Sequence, residues 1–129
     1  MSKELRDQDY LEHIQDAIGK IRRYVAGRSE ADFMADDLVQ DGVIRNLEII
    51  GEAVTKLSPE LKAAHSEVSW GEISGMRNRL IHGYISVNLQ IVWDTVVKVL
   101  PEFLVNVENI QKEILEVFNR AKSEGPSPF

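Results

Sequence analysis

Apolar positions recur along this chain at the spacing of an α-helix and almost nowhere at the spacing of a strand. Leu11, Ile14, Ile18, Ile21 and Val25 follow one another by 3, 4, 3 and 4 residues, which places them on one helical face. The spacing predicts a first helix over Asp7 to Ala26. Gly27 is its expected stop, because glycine accepts the conformation that closes a helix. Ser29 then reads as the N-cap of a short turn carrying Phe33 and Met34. Val43, Leu47, Ile50, Val54 and Leu57 step by 4, 3, 4 and 3 and predict a second long helix over Asp37 to Leu57. Gly51 and Ala53 lie inside it. Glycine in a helix interior costs about 1 kcal/mol relative to alanine, so another backbone is expected to approach closely there.

Ser58-Pro59 is a cap followed by proline at the first helical position, and predicts a short helix over Glu60 to Ala64. Ser69 and Glu72 have the spacing of a capping box, opening a helix that Gly83 is placed to end. Asn88 is suited to cap a last helical stretch, in which Leu89, Val92, Val96, Leu100, Phe103, Val107, Ile110, Ile114 and Val117 keep the helical spacing. Pro101 interrupts this run: either the helix kinks, or a new one starts with proline in its first turn. ISVNLQIV is the nearest candidate for a strand and reads as a loop leading into a helix. The fold class is therefore all-α. One domain over residues 1–121 forms a bundle of four to five helices, and a C-terminal tail, KSEGPSPF at 122–129, is expected to be disordered. The apolar stripes of the first and last helices are wide for so small a chain, which suits a helix-mediated homodimer.

With 129 residues, 43% of them hydrophobic and 28% charged, the chain fits one folded domain with its own core. It has no cysteine, which excludes disulfides, thiol nucleophiles and cysteine-based zinc sites. The opening MSKELRDQDY lacks the apolar stretch of a signal peptide, and no apolar run approaches the ~20 residues of a membrane span. A cytoplasmic protein without a membrane partner is expected. The net charge of −6 and the pI near 5.1 exclude a general nucleic-acid coat, so any polyanion must be met locally. There is no Gly-rich phosphate loop, no G-x-S-x-G and no H-E-x-x-H. The only histidines, His13, His65 and His82, lack metal-ligand spacing, so neither metal nor cofactor is expected. His13 reads as a half-exposed residue at the edge of the first helix. His65 reads as a cation near a helix C-terminus. Lys20, Arg22, Arg23 and Arg28 suit the end of the first helix, with RNA steering as the alternative.

One stretch needs more than packing to explain it. GMRNRLIHGY, Gly75 to Tyr84, holds two arginines, an asparagine, a histidine and a tyrosine. On a helix, Asn78 and His82 share a face. Arg77 and His82 are about 140° apart around the axis and do not converge on one small target from a straight helix. A second copy of the chain, related by a two-fold axis, brings arginine from one protomer to histidine of the other. Arginine offers a permanently charged fork that fits phosphate, and histidine exchanges protons near neutral pH. Together they suffice for metal-free cleavage of an RNA phosphodiester. One group takes the 2′-hydroxyl proton, another protonates the leaving 5′-oxygen, and a cation holds the phosphate charge. The same spacing also fits a plain helix end, with His82 at the negative pole of the dipole and Arg77 in a surface ion pair.

MRNRLIHGY, preceded by SWGEISG and by IRNLEIIGEAVTKLSPEL, closely resembles the HepT family of HEPN-domain proteins, in order, from about Leu11 to Phe103. The family pattern of arginine, four residues, histidine, any residue and tyrosine is met by Arg77, His82 and Tyr84, with Asn78 as the polar residue after the arginine. The resemblance implies a HEPN-type helical bundle, a symmetric homodimer with the two motifs facing each other, and a metal-independent endoribonuclease toxin of a type VII toxin–antitoxin pair. RNA, with tRNA as the expected kind, is the implied substrate. The implied partner is an MntA-like nucleotidyltransferase antitoxin that adds AMP units to Tyr84. His82 is then the general acid or base, Arg77 the phosphate-binding group, and Asn78 a supporting residue. The alternative is a non-catalytic helical subunit that binds such a nucleotidyltransferase and presents substrate to it.

Overall fold

The computed structural model describes residues 3–80 and 87–123, and these are helical with no strand among them. Helix α1 spans Lys3–Val25, starting a turn earlier than its apolar stripe predicts. Leu11, Ile14, Ile18 and Ile21 are all buried. The helix closes at Gly27, whose φ of 72° lies in the left-handed region that a side chain disfavours. Arg28 N–H then donates back to Val25 O at 2.9 Å.

Helix α2, Glu30–Met34, is one turn held at both ends. Ser29 Oγ accepts from Asp32 N–H at 3.1 Å, and Asp32 Oδ2 accepts from Ser29 N–H at 3.0 Å. The Ser29 N–H, together with the Ser29 hydroxyl and the nearby Arg28, holds the Asp32 carboxyl below its ordinary pKa. The buried Gln40 donates from Nε2 to the carbonyls of Phe33 at 2.9 Å and Met34 at 3.1 Å. It satisfies the open end of α2 and pins that turn to the next helix. Arg28 Nη1 meets Asp36 Oδ2 at 3.0 Å across the same corner.

Helix α3, Asp37–Lys56, packs along α1 and α5, and the last helix covers α1 from another side. Val43, Leu47, Ile50 and Val54 are fully buried. Two of its glycines mark close approaches. A Cβ on Gly42 would lie 3.0 Å from the Tyr24 ring of α1, and one on Gly51 would lie 3.5 and 3.6 Å from the carbonyl oxygens of Ile73 and Ser74. The spacing pointed to Gly51. It gave no hint of Gly42, because nothing local announces that Tyr24 lies across it.

The turn from α3 into α4, Pro59–Ala64, is fastened to the start of the chain. Asp7, only 6% exposed, accepts from Ser58 N–H at 2.8 Å and from Ser58 Oγ at 2.6 Å. Ser58 Oγ in turn accepts from Leu61 N–H at 3.2 Å. One carboxylate thus joins residues 51 apart in sequence. A buried, hydrogen-bonded charge of this kind is costly to disrupt.

After α5, Trp70–Leu80, the helix α6 over Leu89–Asp94 starts at Asn88, whose Oδ1 accepts from Ile91 N–H at 3.1 Å. It runs through a π-helical turn, Thr95–Val99, directly into α7, Leu100–Ser123. Pro101 does stand in the first turn of α7, but α7 is not a separate helix. Proline deprives an α-helix of the bond to the fourth residue back and crowds that carbonyl. The chain places its wide turn just before this point, with Leu100 N–H reaching Thr95 O. Leu100, Phe103, Val107 and Ile110 are buried, Ile114 is half-buried, and Val117 is 61% exposed. The apolar stripe therefore outruns the bundle it packs against. Lys122 and Ser123, assigned to the tail by sequence, continue α7. Among the described residues no helix is long and apolar enough to cross a membrane.

Candidate functional site

Helix α5 carries the start of the polar stretch, Gly75 to Leu80, and its own anchoring is the clearest part of the site. Ile73, Met76 and Leu80 are buried at the spacing of one helical face. At the other end Trp70 is buried too. Its Nε1 donates to His65 O at 2.9 Å, and its ring meets Phe103 edge-on with centroids 6.0 Å apart. Between these points the backbone of α3 comes in at Gly51. The helix is thus fixed at its start by an indole, in its middle by a glycine contact and along one face by the core.

The start of α5 forms by backbone bonding rather than by the expected side-chain box. Ser69 O accepts from Glu72 N–H and Ile73 N–H, each at 3.1 Å. Among the described residues no bond joins the Ser69 hydroxyl to Glu72 N–H or the Glu72 carboxylate to Ser69 N–H. The box that does form is at Ser29, with aspartate in the place of glutamate.

Arg77 and Asn78 sit on the last turn of α5, and Asn78 is exposed. His82 and Tyr84, the other two positions of the motif, lie outside the described residues. Arg79 is exposed and folds back along its own helix, where Nη2 donates to Glu72 O at 2.7 Å. That contact occupies part of its guanidinium.

His65 is at the C-cap of α4, the helix end at which its sequence position placed it. It also does something the sequence did not reveal. Its Nδ1 lies 3.5 Å from Glu67 Oε1 and its Nε2 lies 3.2 Å from Glu113 Oε2. The imidazole bridges the α4–α5 junction to α7, beside the carbonyl that receives the Trp70 indole. His13 is exposed and meets the Tyr10 ring edge-on at 6.0 Å. Tyr10 and His13 line a groove of about 370 Å³ with Arg45 and Lys56. Each of these cations has a carboxylate near it, Glu48 at 4.0 Å and Glu52 at 3.9 Å, so the groove offers a phosphate no uncompensated charge. Its members come from helices far apart in sequence, and the linear pattern did not bring them together. Among the described residues no group of three or more His, Asp or Glu is placed to hold a metal ion.

Comparison with known proteins covers the same region. The family model for ribonuclease HepT-like proteins matches residues 14–110, which spans α5 and the whole of Gly75–Tyr84. A candidate RNase of Caldanaerobacter subterraneus subsp. tengcongensis is 41% identical over 113 residues, covering 88% of this chain and 95% of that protein. A probable ribonuclease HepT of Thermococcus cleftensis is 38% identical over 105 residues, covering 81% of this chain and 96% of that protein. A Methanocaldococcus jannaschii protein, named as a gamma-glutamylcyclotransferase and candidate RNase, is 36% identical over 105 residues, 81% of this chain and 47% of its own length. No solved structure matches the chain. An all-α bundle, a match over most of its length and relatives of this similarity place the chain in the ribonuclease HepT-like family.

Proposed function

We propose that this protein is a metal-independent endoribonuclease whose chemistry is carried by Arg77 and His82. The observation that carries the reading is the family match over residues 14–110, a range that includes the arginine–histidine–tyrosine stretch. Relatives named as ribonucleases support it, as does the firm seating of α5, which carries the start of that stretch. Chemistry mounted on a fixed helix keeps its groups within the tight tolerances that catalysis needs.

In this reading His82 exchanges the proton and Arg77 binds the scissile phosphate and the charge that grows on it. The 2′-oxygen loses its proton, attacks phosphorus and expels the 5′-oxygen, which takes up a proton. Asn78 orients the imidazole or donates to phosphate. The site is completed across a two-fold axis by the same residues of a second protomer, with tRNA as the substrate. A nucleotidyltransferase antitoxin of the MntA kind silences it by joining AMP from ATP to the Tyr84 hydroxyl, releasing pyrophosphate. Each added AMP brings a phosphodiester charge two residues from His82, where it occupies Arg77 and repels RNA.

The test is cleavage of total tRNA in EDTA by protein expressed without a partner, beside His82→Ala. The wild type cleaves, and the variant loses at least a hundredfold in rate with unchanged helicity. No cleavage by a folded wild type whose mass shows an unmodified Tyr84 refutes the reading. That outcome favours the non-catalytic nucleotidyltransferase-binding subunit, to which the acidic pI near 5.1 is also suited.

A further inference from the structure

Helix α1 turns one edge towards α3, and that edge carries no carboxylate. Arg6, Tyr10, His13, Ala17, Lys20 and Tyr24 follow one another by 4, 3, 4, 3 and 4 residues and lie within about 80° of one another around the axis. Two contacts fix the direction of this row. Tyr10 and His13 line the groove of about 370 Å³ together with Arg45 and Lys56 of α3, and the Tyr24 ring lies over Gly42 near the start of α3. Apart from the buried Ala17, every member is a cation, a histidine or a tyrosine. Asp9, Glu12 and Asp16 are exposed carboxylates of the same helix, and none belongs to the row.

The middle of the groove offers little to a phosphate, because Glu48 and Glu52 stand beside its two cations. Its ends differ. At one end Tyr10 and Lys56 also line a hollow of about 620 Å³ that brings in Arg6 and Lys62. Of the carboxylates there, Asp7 has both oxygens taken by Ser58, and Glu60 makes a contact of its own. At the other end Lys20 is exposed one turn from Tyr24. Arg6, Lys20 and Lys62 have no ion pair among the described residues, although Asp16 stands four residues before Lys20, the favoured arrangement for one. Between the ends the rings of Tyr10 and His13 stand at 88° with centroids 6.0 Å apart. They form a corner in which a planar base lies flat on one ring with its edge towards the other. Rings that take bases, flanked by cations that take phosphates, are the means by which proteins hold a single strand.

We propose that the α1–α3 groove is a binding path for single-stranded RNA, with a base stacked on Tyr10 and the neighbouring phosphates held by Arg6 and Lys62 on one side and by Lys20 on the other. Arg6 and Lys20 are about 21 Å apart along α1, which gives the path room for several nucleotides. Helix α3, about 10–12 Å across, separates it from α5, so one strand reaches both. The path holds the strand away from the reacting bond and adds affinity rather than chemistry. On a chain of net charge −6 it is a local place to meet a polyanion. The proposal rests on the ribonuclease reading for the strand's being a substrate, but its test reads binding without turnover, so the two fail separately.

Fluorescence anisotropy of a labelled, unstructured RNA of about 12 nucleotides, in EDTA and with His82→Ala as the parent, measures affinity while the strand stays intact. Tyr10 is half-buried against the core, so Tyr10→Leu keeps its packing and removes the ring. That variant is expected to bind RNA about tenfold more weakly, and Tyr10→Phe to bind as the parent does. Inorganic polyphosphate, which has the charge and no bases, is expected to bind Tyr10→Leu and the parent alike. Arg6→Ala/Lys20→Ala/Lys62→Ala is expected to lower the slope of log affinity against log salt by about 2, the loss of three single-strand phosphate contacts. Removing the same charge from α7, which lines neither hollow, by Lys112→Ala/Arg120→Ala/Lys122→Ala leaves the slope unchanged. Circular dichroism confirms that each variant keeps its helix content. An RNA affinity unchanged by Tyr10→Leu, an equal loss with polyphosphate, or equal slopes for the two triple variants overturns the proposal, whether or not the wild type cleaves tRNA. Groove-dependent binding by a wild type that cleaves nothing supports the path and refutes the ribonuclease reading alone.

Discussion

Replacing Gly51 tests how α5 is held. A methyl group at this position meets the carbonyl oxygens of Ile73 and Ser74 at 3.5 and 3.6 Å, which is ordinary contact and costs little. Alanine also recovers about 0.5–1 kcal/mol of helix propensity. Gly51→Ala should therefore stabilise the protein by up to about 1 kcal/mol, a rise of roughly 4 °C in Tm for a domain of this size. Gly51→Val adds atoms beyond Cβ, in the direction of two backbone oxygens that have no side-chain freedom to yield. Overpacking of this kind typically costs ~1–3 kcal/mol, so valine should lower stability where alanine raises it. Urea unfolding followed at 222 nm measures both. RNA cleavage gives a second readout, because α5 is displaced by valine and not by alanine: Gly51→Ala keeps the wild-type rate, and Gly51→Val loses activity under conditions where it is still folded. An alanine variant destabilised by more than 1 kcal/mol, or a valine variant as stable as alanine, would refute the geometry on which this reasoning stands.

Two further perturbations address other parts of the frame. Asp7→Ala leaves the Ser58 N–H and hydroxyl without their buried acceptor and should cost about 1–3 kcal/mol in chemical denaturation, whereas substitution of the exposed Asp9 on the same helix should cost far less. Ser29→Ala removes one of the two Ser29 hydrogen bonds that hold the Asp32 carboxyl below its ordinary value. Its titration midpoint, followed by carbonyl carbon NMR, should rise, though not fully, since the Ser29 N–H remains. The sign follows from linkage: a depressed carboxyl contributes stability above its unfolded pKa and loses it as pH falls through the folded one. The α2 corner should therefore loosen on acidification in the wild type and at a higher pH in the variant.

The helices were legible because each long one carries an apolar face that survives the interruption of its glycines. Ser29, Asn88 and the Ser58-Pro59 pair announced their helices through local hydrogen bonding, which sequence spacing encodes directly. What escaped was contact between distant segments. The Asp7 carboxylate under Ser58, the Tyr24 ring over Gly42 and the Glu113 carboxylate at His65 leave no local trace, since each partner reads as an ordinary surface residue on its own helix. The Ser69–Glu72 pair shows the opposite failure, a spacing that fits a motif while backbone carbonyls make the bonds. For the site, Arg77, Asn78, His82 and Tyr84 stood out as chemistry that packing does not require. Of the seating of α5 that would steady them, the close approach at Gly51 was legible from a glycine inside a helix, and the Trp70 indole bond to His65 O belongs to the tertiary structure alone.

The π turn at Thr95–Val99 gives this chain a tolerance that its other helices lack. A wide turn holds one residue more than the α turn it replaces. A single deletion within it has only to close that turn, leaving Val92 on one side and Phe103, Val107 and Ile110 on the other still directed into the same core. A deletion within α7 instead rotates every later residue by about 100° and turns its buried face away from the core. In terms of descent, Thr95–Val99 is a place where this long helix can lose a residue and remain the same fold.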